Sequence, residues 1–109
     1  MTTEEFIKSI ENFFQRGVEI VKKKNKDYSG DDDPFKNFRK AEIVGASIEQ
    51  GIMIRVMDKI SRIGNLLATK DAAVKEETIQ DTLVDCANYL AILNAYLESK
   101  KTEQNGSNQ

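Results

Sequence analysis

The sequence predicts an all-α protein: a small helical bundle in which a long antiparallel hairpin, formed by the third and fourth helices, packs on the first helix and a short second one. Three observations carry this. Apolar residues recur at three- and four-residue steps along nearly the whole chain, the period of a helix face. No stretch alternates apolar and polar residues as a half-buried strand does. Only one proline, Pro34, interrupts 109 residues.

The first helix opens on Thr2 and Glu5, which have the spacing of a capping box. Phe6, Ile10, Phe13, Phe14, Gly17, Val18 and Val21 then follow at helical steps, so the helix is expected to run to about Lys24. Gly17 costs roughly 1 kcal/mol against alanine inside a helix, which a close helix crossing would explain. The run Lys22-Lys23-Lys24-Asn25-Lys26 suits a helix C-terminus, where cations meet the negative end of the dipole. Asp27 to Asp33 predicts a loop, because Gly30 and the aspartates are turn formers. Asp33-Pro34 predicts an N-cap with proline at the first helical position. The short second helix then runs from Pro34 to about Val44, with Phe35 and Phe38 as its buried pair and Gly45 as its stop.

Ser47 and Gln50 form a second capping box, and the third helix is expected to reach about Thr69. Lys70 to Lys75 is a short connection, and the fourth helix runs from about Glu76 or Thr78 to Lys100. A connection this short makes the two helices an antiparallel hairpin. Ile52, Val56, Ile60, Ile63 and Leu67 form the apolar stripe of one helix. Ile79, Leu83, Cys86, Leu90, Leu93 and Leu97 form that of the other, and Met53 and Met57 read as core or crossing residues. Residues 1–100 thus form a single domain, and the polar segment 101–109 is expected to be a disordered tail.

Composition excludes several function classes. The net charge of −2 offers no bulk attraction for a nucleic-acid polymer. A single cysteine, Cys86, allows no intrachain disulfide, and its place on an apolar stripe predicts an inert buried thiol. No apolar run is long enough for a signal peptide or a membrane span, so the expectation is a cytoplasmic protein without membrane contact. Histidine and tryptophan are absent, which removes imidazole bases and histidine zinc ligands. Any chemistry must use carboxylates, lysines, arginines, hydroxyls or a bound metal.

Two polar stripes flank the hairpin's apolar ones. Arg55, Asp58, Lys59 and Arg62 share one face of the third helix, and Asp81, Asp85 and Asn88 share one face of the fourth. Facing each other, Asp58, Asp81 and Asp85 could hold Mg²⁺ or Mn²⁺, which take oxygen ligands. Arg55, Lys59 and Arg62 could grip phosphate, since guanidinium matches phosphate oxygens in pairs. The same charges could equally form ion pairs that pin the hairpin with no ligand at all. Asp31, Asp32 and Asp33 are read as turn and cap residues, because consecutive side chains diverge.

Four motifs in order carry a resemblance over about residues 20 to 95. They are Lys24-Asn25-Lys26-Asp27-Tyr28, Asp33-Pro34-Phe35-Lys36-Asn37-Phe38-Arg39, the run from Arg55 to Leu66, and the run from Glu76 to Tyr89. Together they resemble the nucleotide-modification-associated domain 1 family, common in bacteriophages. That resemblance implies a phage-encoded helical protein of nucleotide metabolism or modification, acting in the host cytoplasm. The chain is more distantly similar to the all-α nucleoside triphosphate pyrophosphatases of the MazG and dimeric dUTPase group. Asp81 and Asp85 match their second carboxylate pair, whereas Asp58 and Arg62 stand where their first Glu-x-x-Glu would be. A cation in place of a carboxylate suits binding a phosphate compound better than cleaving it.

The expected function is therefore a binder of a small nucleotide or other phosphorylated nucleoside, sequestering a nucleotide defence signal without hydrolysis. Arg55, Lys59, Arg62, Lys26, Arg39, Asn65 and Asn88 form its ligand-binding set, and Tyr28 and Phe38 its base-stacking pair. The alternatives are a Mg²⁺-dependent pyrophosphatase or an accessory of nucleotide modification, and a helical interaction module without a small ligand. Phe6, Phe13, Phe14, Ile20, Ile54, Ile92 and Tyr96 exceed what a three-helix core needs, which predicts a homo-oligomer, at least a dimer, with the ligand site near or across its interface.

Overall fold

Among the described residues of the computed structural model four helices follow one another: α1 (Thr3–Tyr28), a 3-10 helix (Lys36–Val44), α2 (Ile48–Ala68) and α3 (Ala72–Ser107). It describes the backbone of residues 1–28 and 33–107 and, within these, the side chains outside 26–28, 72–78 and 105–107. The described residues are mostly helical, with no strand among them, as the 3.6-residue period predicts.

Local chemistry sets the helix ends. The Thr2 N–H donates to Glu5 Oε2 at 3.0 Å and the Glu5 N–H to Thr2 Oγ1 at 3.1 Å, a reciprocal cap on α1. Ser47 and Gln50 repeat it on α2, with N–H to Oε1 at 2.8 Å and N–H to Oγ at 3.0 Å. Gly45 ends the 3-10 helix at φ 80°, a left-handed conformation that glycine adopts without the penalty a Cβ brings.

Three boundaries differ from the sequence-based expectation. α1 continues to Tyr28, so Asp27 and Tyr28 belong to the helix and not to a loop. Lysines are good helix formers, and no glycine or proline stands between Gly17 and Gly30. The segment after Pro34 is a 3-10 helix without a side-chain cap. Asp33 instead closes the turn leading into it: its Oδ1 accepts the Phe35 N–H at 3.1 Å and its carbonyl accepts the Lys36 N–H at 3.3 Å. Phe35 and Phe38 are consequently half-buried, not buried. Finally, α3 starts at Ala72 and runs on to Ser107, through most of the expected disordered tail. Thr102 Oγ1 donates to the Glu98 carbonyl at 3.1 Å, which binds that extension to the preceding turn.

α2 and α3 form the antiparallel hairpin. Lys100 Nζ lies 3.0 Å from Glu49 Oε2 at one end, and Lys59 Nζ lies 3.3 Å from Asp85 Oδ2 further along. Ile48, Ile52 and Val56 of α2 and Val84 and Cys86 of α3 are its buried apolar side chains. α1 packs on α3 and, among the described residues, not on α2. The crossing is close at Gly17, as its cost in helix propensity suggested. A Cβ there would stand 2.8 Å from Asn88 Oδ1, and Asn88 Nδ2 donates to the Gly17 carbonyl at 3.2 Å.

The apolar stripes are only partly used. Ile60, Leu67, Leu83, Leu90 and Leu97, expected in the core, are exposed, as are Met53 and Met57. Each hairpin helix buries one side of a broad apolar arc on its neighbour and leaves the other side open. No helix among the described residues is long and apolar enough to cross a membrane.

Candidate ligand-binding cavity

The charged face of α2 borders two adjoining hollows. The smaller, about 460 Å³, is lined by Arg55, Asp58, Lys59, Ser61, Arg62, Asn65 and Tyr89, so its wall is polar apart from one ring. The larger, about 800 Å³, opens where the end of α1, the 3-10 helix, α2 and α3 converge. α1 supplies Val21, Lys24 and Asn25 to it, and the segment after Asp33 and Pro34 supplies Lys36, Asn37, Phe38 and Lys40. Asp85, Asn88, Tyr89 and Ile92 come from α3. Arg55 and Tyr89 line both hollows, which therefore lie side by side as two lobes.

Helical spacing explains this placement. Asp85, Asn88, Tyr89 and Ile92 lie three, four and seven residues apart, so α3 presents them together between α1 and α2. Phe38 meets Tyr89 edge to face, with centroids 6.2 Å apart and an interplanar angle of 88°. Phe35 meets Tyr96 in the same way at 5.1 Å, fastening the 3-10 helix to α3 at a second point.

The expected site residues divide between the lobes. Arg55, Asn88, Phe38 and Asp85 border the larger, and Arg55, Lys59, Arg62, Asn65 and Asp58 the smaller. Lys26 and Tyr28 lie in α1 with side chains outside the described residues. Arg39 borders neither lobe and is bonded to Asp33 instead. The aspartates do not converge: Asp81 pairs with Arg16 of α1 and Asp85 with Lys59. Among the described residues no three carboxylate or thiol side chains lie close enough to hold one metal ion.

The Asp33–Arg39 pair clamps the entry to the 3-10 helix. The guanidinium hydrogen bonds hold the Asp33 carboxyl below the usual aspartate range, and the Asp33 carboxylate in turn raises Arg39. A carboxyl depressed in the folded state stabilises above its unfolded pKa, and that contribution is lost as pH falls through the folded value. In a pH titration followed by NMR, the Asp33 carboxyl is expected to titrate below an unstructured aspartate. Arg39→Ala should return its midpoint toward the ordinary range, and an unchanged midpoint would show that Arg39 is not the cause.

Lys24, Asn25, Lys36, Asn37, Lys40 and Tyr89 are cavity residues that the charge stripes of the hairpin did not indicate. Lys24 was expected as a solvated helix end. It lines the cavity because α1 crosses α3 where Gly17 meets Asn88 and continues along the same hollow. Lys24, Asn25, Lys36, Asn37 and Tyr89 stand within the motifs quoted above, although the charge stripes did not single them out. Lys40 stands outside them, and its place beside Arg55 depends on how the 3-10 helix folds back over α2.

No family model matches the chain, and no curated protein and no solved structure compared with it matches either.

Proposed function

We propose that the two-lobed cavity binds a phosphorylated nucleoside and holds it without hydrolysing it. The observation that supports this is the sharing of Arg55 and Tyr89 between the lobes, which sets a phosphate grip and an aromatic wall side by side. In this proposal the base lies against Phe38, Tyr89 and Ile92, and phosphate oxygens meet Arg55, Lys59 and Arg62 through charge-assisted bonds. Both volumes fall in the range of small-ligand sites. Asp81 and Asp85, the carboxylates a pyrophosphatase would use for its metal, are instead engaged by Arg16 and Lys59. Such a protein retains its ligand unchanged, and in a phage that activity would sequester a nucleotide signal of the host's defence.

Calorimetric titration with nucleosides, nucleoside monophosphates and triphosphates tests this, with and without millimolar Mg²⁺. Phosphorylated nucleosides are expected to bind about tenfold to a hundredfold more tightly than the bare nucleosides, the worth of one or two charge-assisted contacts. The ligand should be recovered intact after denaturation. A Mg²⁺-dependent phosphate product would establish a pyrophosphatase instead. Binding of none of them would leave a helical interaction module.

A further inference from the structure

The two lobes are more basic than the chain that forms them. Among the described residues six cations and three carboxylates line them, on a chain whose net charge is −2. Two of those carboxylates are already engaged, Asp33 by Arg39, which lines neither lobe, and Asp85 by Lys59. Lys24, Lys40, Arg55 and Arg62 make no ion pair with any described residue. Like charges held around one hollow repel, and a cleft lined mainly by one sign attracts ions of the other.

These cations do not stand in one place. Arg62 belongs to the smaller lobe, Lys24 and Lys40 to the larger, and Arg55 to both. Lys24 comes from α1, Lys40 from the 3-10 helix and the arginines from α2. Arg55 and Arg62, seven residues apart, are separated by roughly 10 Å along the α2 axis. A phosphate met by Arg55, Lys59 and Arg62 therefore leaves Lys24 and Lys40 without an anion. Carboxamides accompany the two lysines in the larger lobe, Asn25 next to Lys24 and Asn37 three residues before Lys40. Side chains at that second spacing eclipse in a 3-10 helix, so one turn brings both to the same lobe. The amide N–H groups of asparagine donate to phosphate oxygens as the lysines do. Each lobe alone has the volume of a small-ligand site, so a nucleoside with all its phosphates at one end leaves the cations of one lobe unmet.

We propose that the ligand is a nucleoside bisphosphate, phosphorylated on both the 3′ and the 5′ side of its ribose, with one phosphate held by Arg55, Lys59 and Arg62 and the other by Lys24 and Lys40. The assignment rests on the cavity being a nucleotide site, as proposed above, and adds where a second phosphate stands. The 3′ and 5′ oxygens leave a ribose in different directions, so phosphates on them diverge, as the two sets of cations do. In a 5′-diphosphate the two phosphates are joined and stay together.

Calorimetric titration of the whole chain with adenosine 3′,5′-bisphosphate and adenosine 5′-diphosphate tests it, repeated in the guanosine, cytidine and uridine series. The two compounds share base, sugar and number of phosphates and differ in where the second phosphate is attached. In the series that binds most tightly, the bisphosphate is expected to bind at least about tenfold more tightly than the diphosphate, the worth of one further charge-assisted contact. The double variant Lys24→Ala with Lys40→Ala should erase that advantage, and Arg62→Ala should weaken both compounds. All three side chains are exposed, so circular dichroism should show the helical content of the wild type in each variant. A diphosphate that binds as tightly as the bisphosphate overturns the proposal and leaves the cavity a nucleotide site. An advantage that survives the double lysine variant overturns it equally. If no phosphorylated nucleoside of any series binds, the nucleotide site itself is overturned, and the bisphosphate with it.

Discussion

Ile52→Ala is expected to destabilise the fold by about 2–5 kcal/mol. Ile52 has no exposed surface and stands between Ile48 and Val56 on the buried line of α2. Removing three of its carbons leaves a space that a pair of long helices, held in register by Lys100–Glu49 and Lys59–Asp85, closes only in part. Few buried apolar side chains share the load, so the loss is a large part of the 5–15 kcal/mol that such domains have in total. Urea denaturation should show a lower midpoint with an unchanged slope, the sign of lost stability without a changed denatured state. Ile43, 84% exposed at the end of the 3-10 helix, is the comparison: Ile43→Ala should stay within about 0.5 kcal/mol of the wild type. An Ile52→Ala protein as stable as that would show that the hairpin core does not hold this fold together.

Arg55→Ala should have the largest effect on ligand binding. Arg55 lines both lobes of the cavity and, among the described residues, makes no ion pair. Its loss takes away a charge-assisted contact worth about 1.5–3 kcal/mol, a fall of roughly ten- to a hundredfold in affinity for a phosphorylated nucleoside. It should leave thermal stability nearly unchanged, because the side chain is exposed and bonded to no described carboxylate. Lys8→Ala removes a charge of the same sign from α1, outside the cavity lining, and should leave affinity unaltered. If Arg55→Ala binds within about twofold of the wild type, the phosphate does not lie where the lobes meet, and the proposed orientation of the ligand falls with it.

Much of the secondary structure was legible because its determinants are local. Thr2–Glu5 and Ser47–Gln50 cap their helices through groups three residues apart, and Gly45 ends its helix through its own φ. The errors came where two local preferences competed. The basic run after Val21 suits both a helix end and a helix interior, and α1 took the second course. Asp33-Pro34 suits both an α-helix cap and a tight turn, and the contacts of Phe35 with Tyr96 and Phe38 with Tyr89 accompany the turn.

The sequence by itself determined that the chain is helical, where α1 and α2 begin, that α2 and α3 form a hairpin, and which side chains carry charge on their faces. Period and capping fix these, and neither depends on distant residues. Only the tertiary structure decided which aspartate meets which cation. Asp81 could pair with α2 or with α1 on spacing alone, and the crossing at Gly17 gives it to Arg16. The same crossing brings Lys24 and Asn25 to the hollow that Asn88 and Tyr89 also line, a cavity whose walls are remote in sequence. Which half of each apolar stripe is buried was likewise undetermined by period, because a stripe half a turn wide can face a neighbouring helix on either flank. Packing within the chain covers one flank, and Met53, Met57, Ile60 and Leu67 are left on the other.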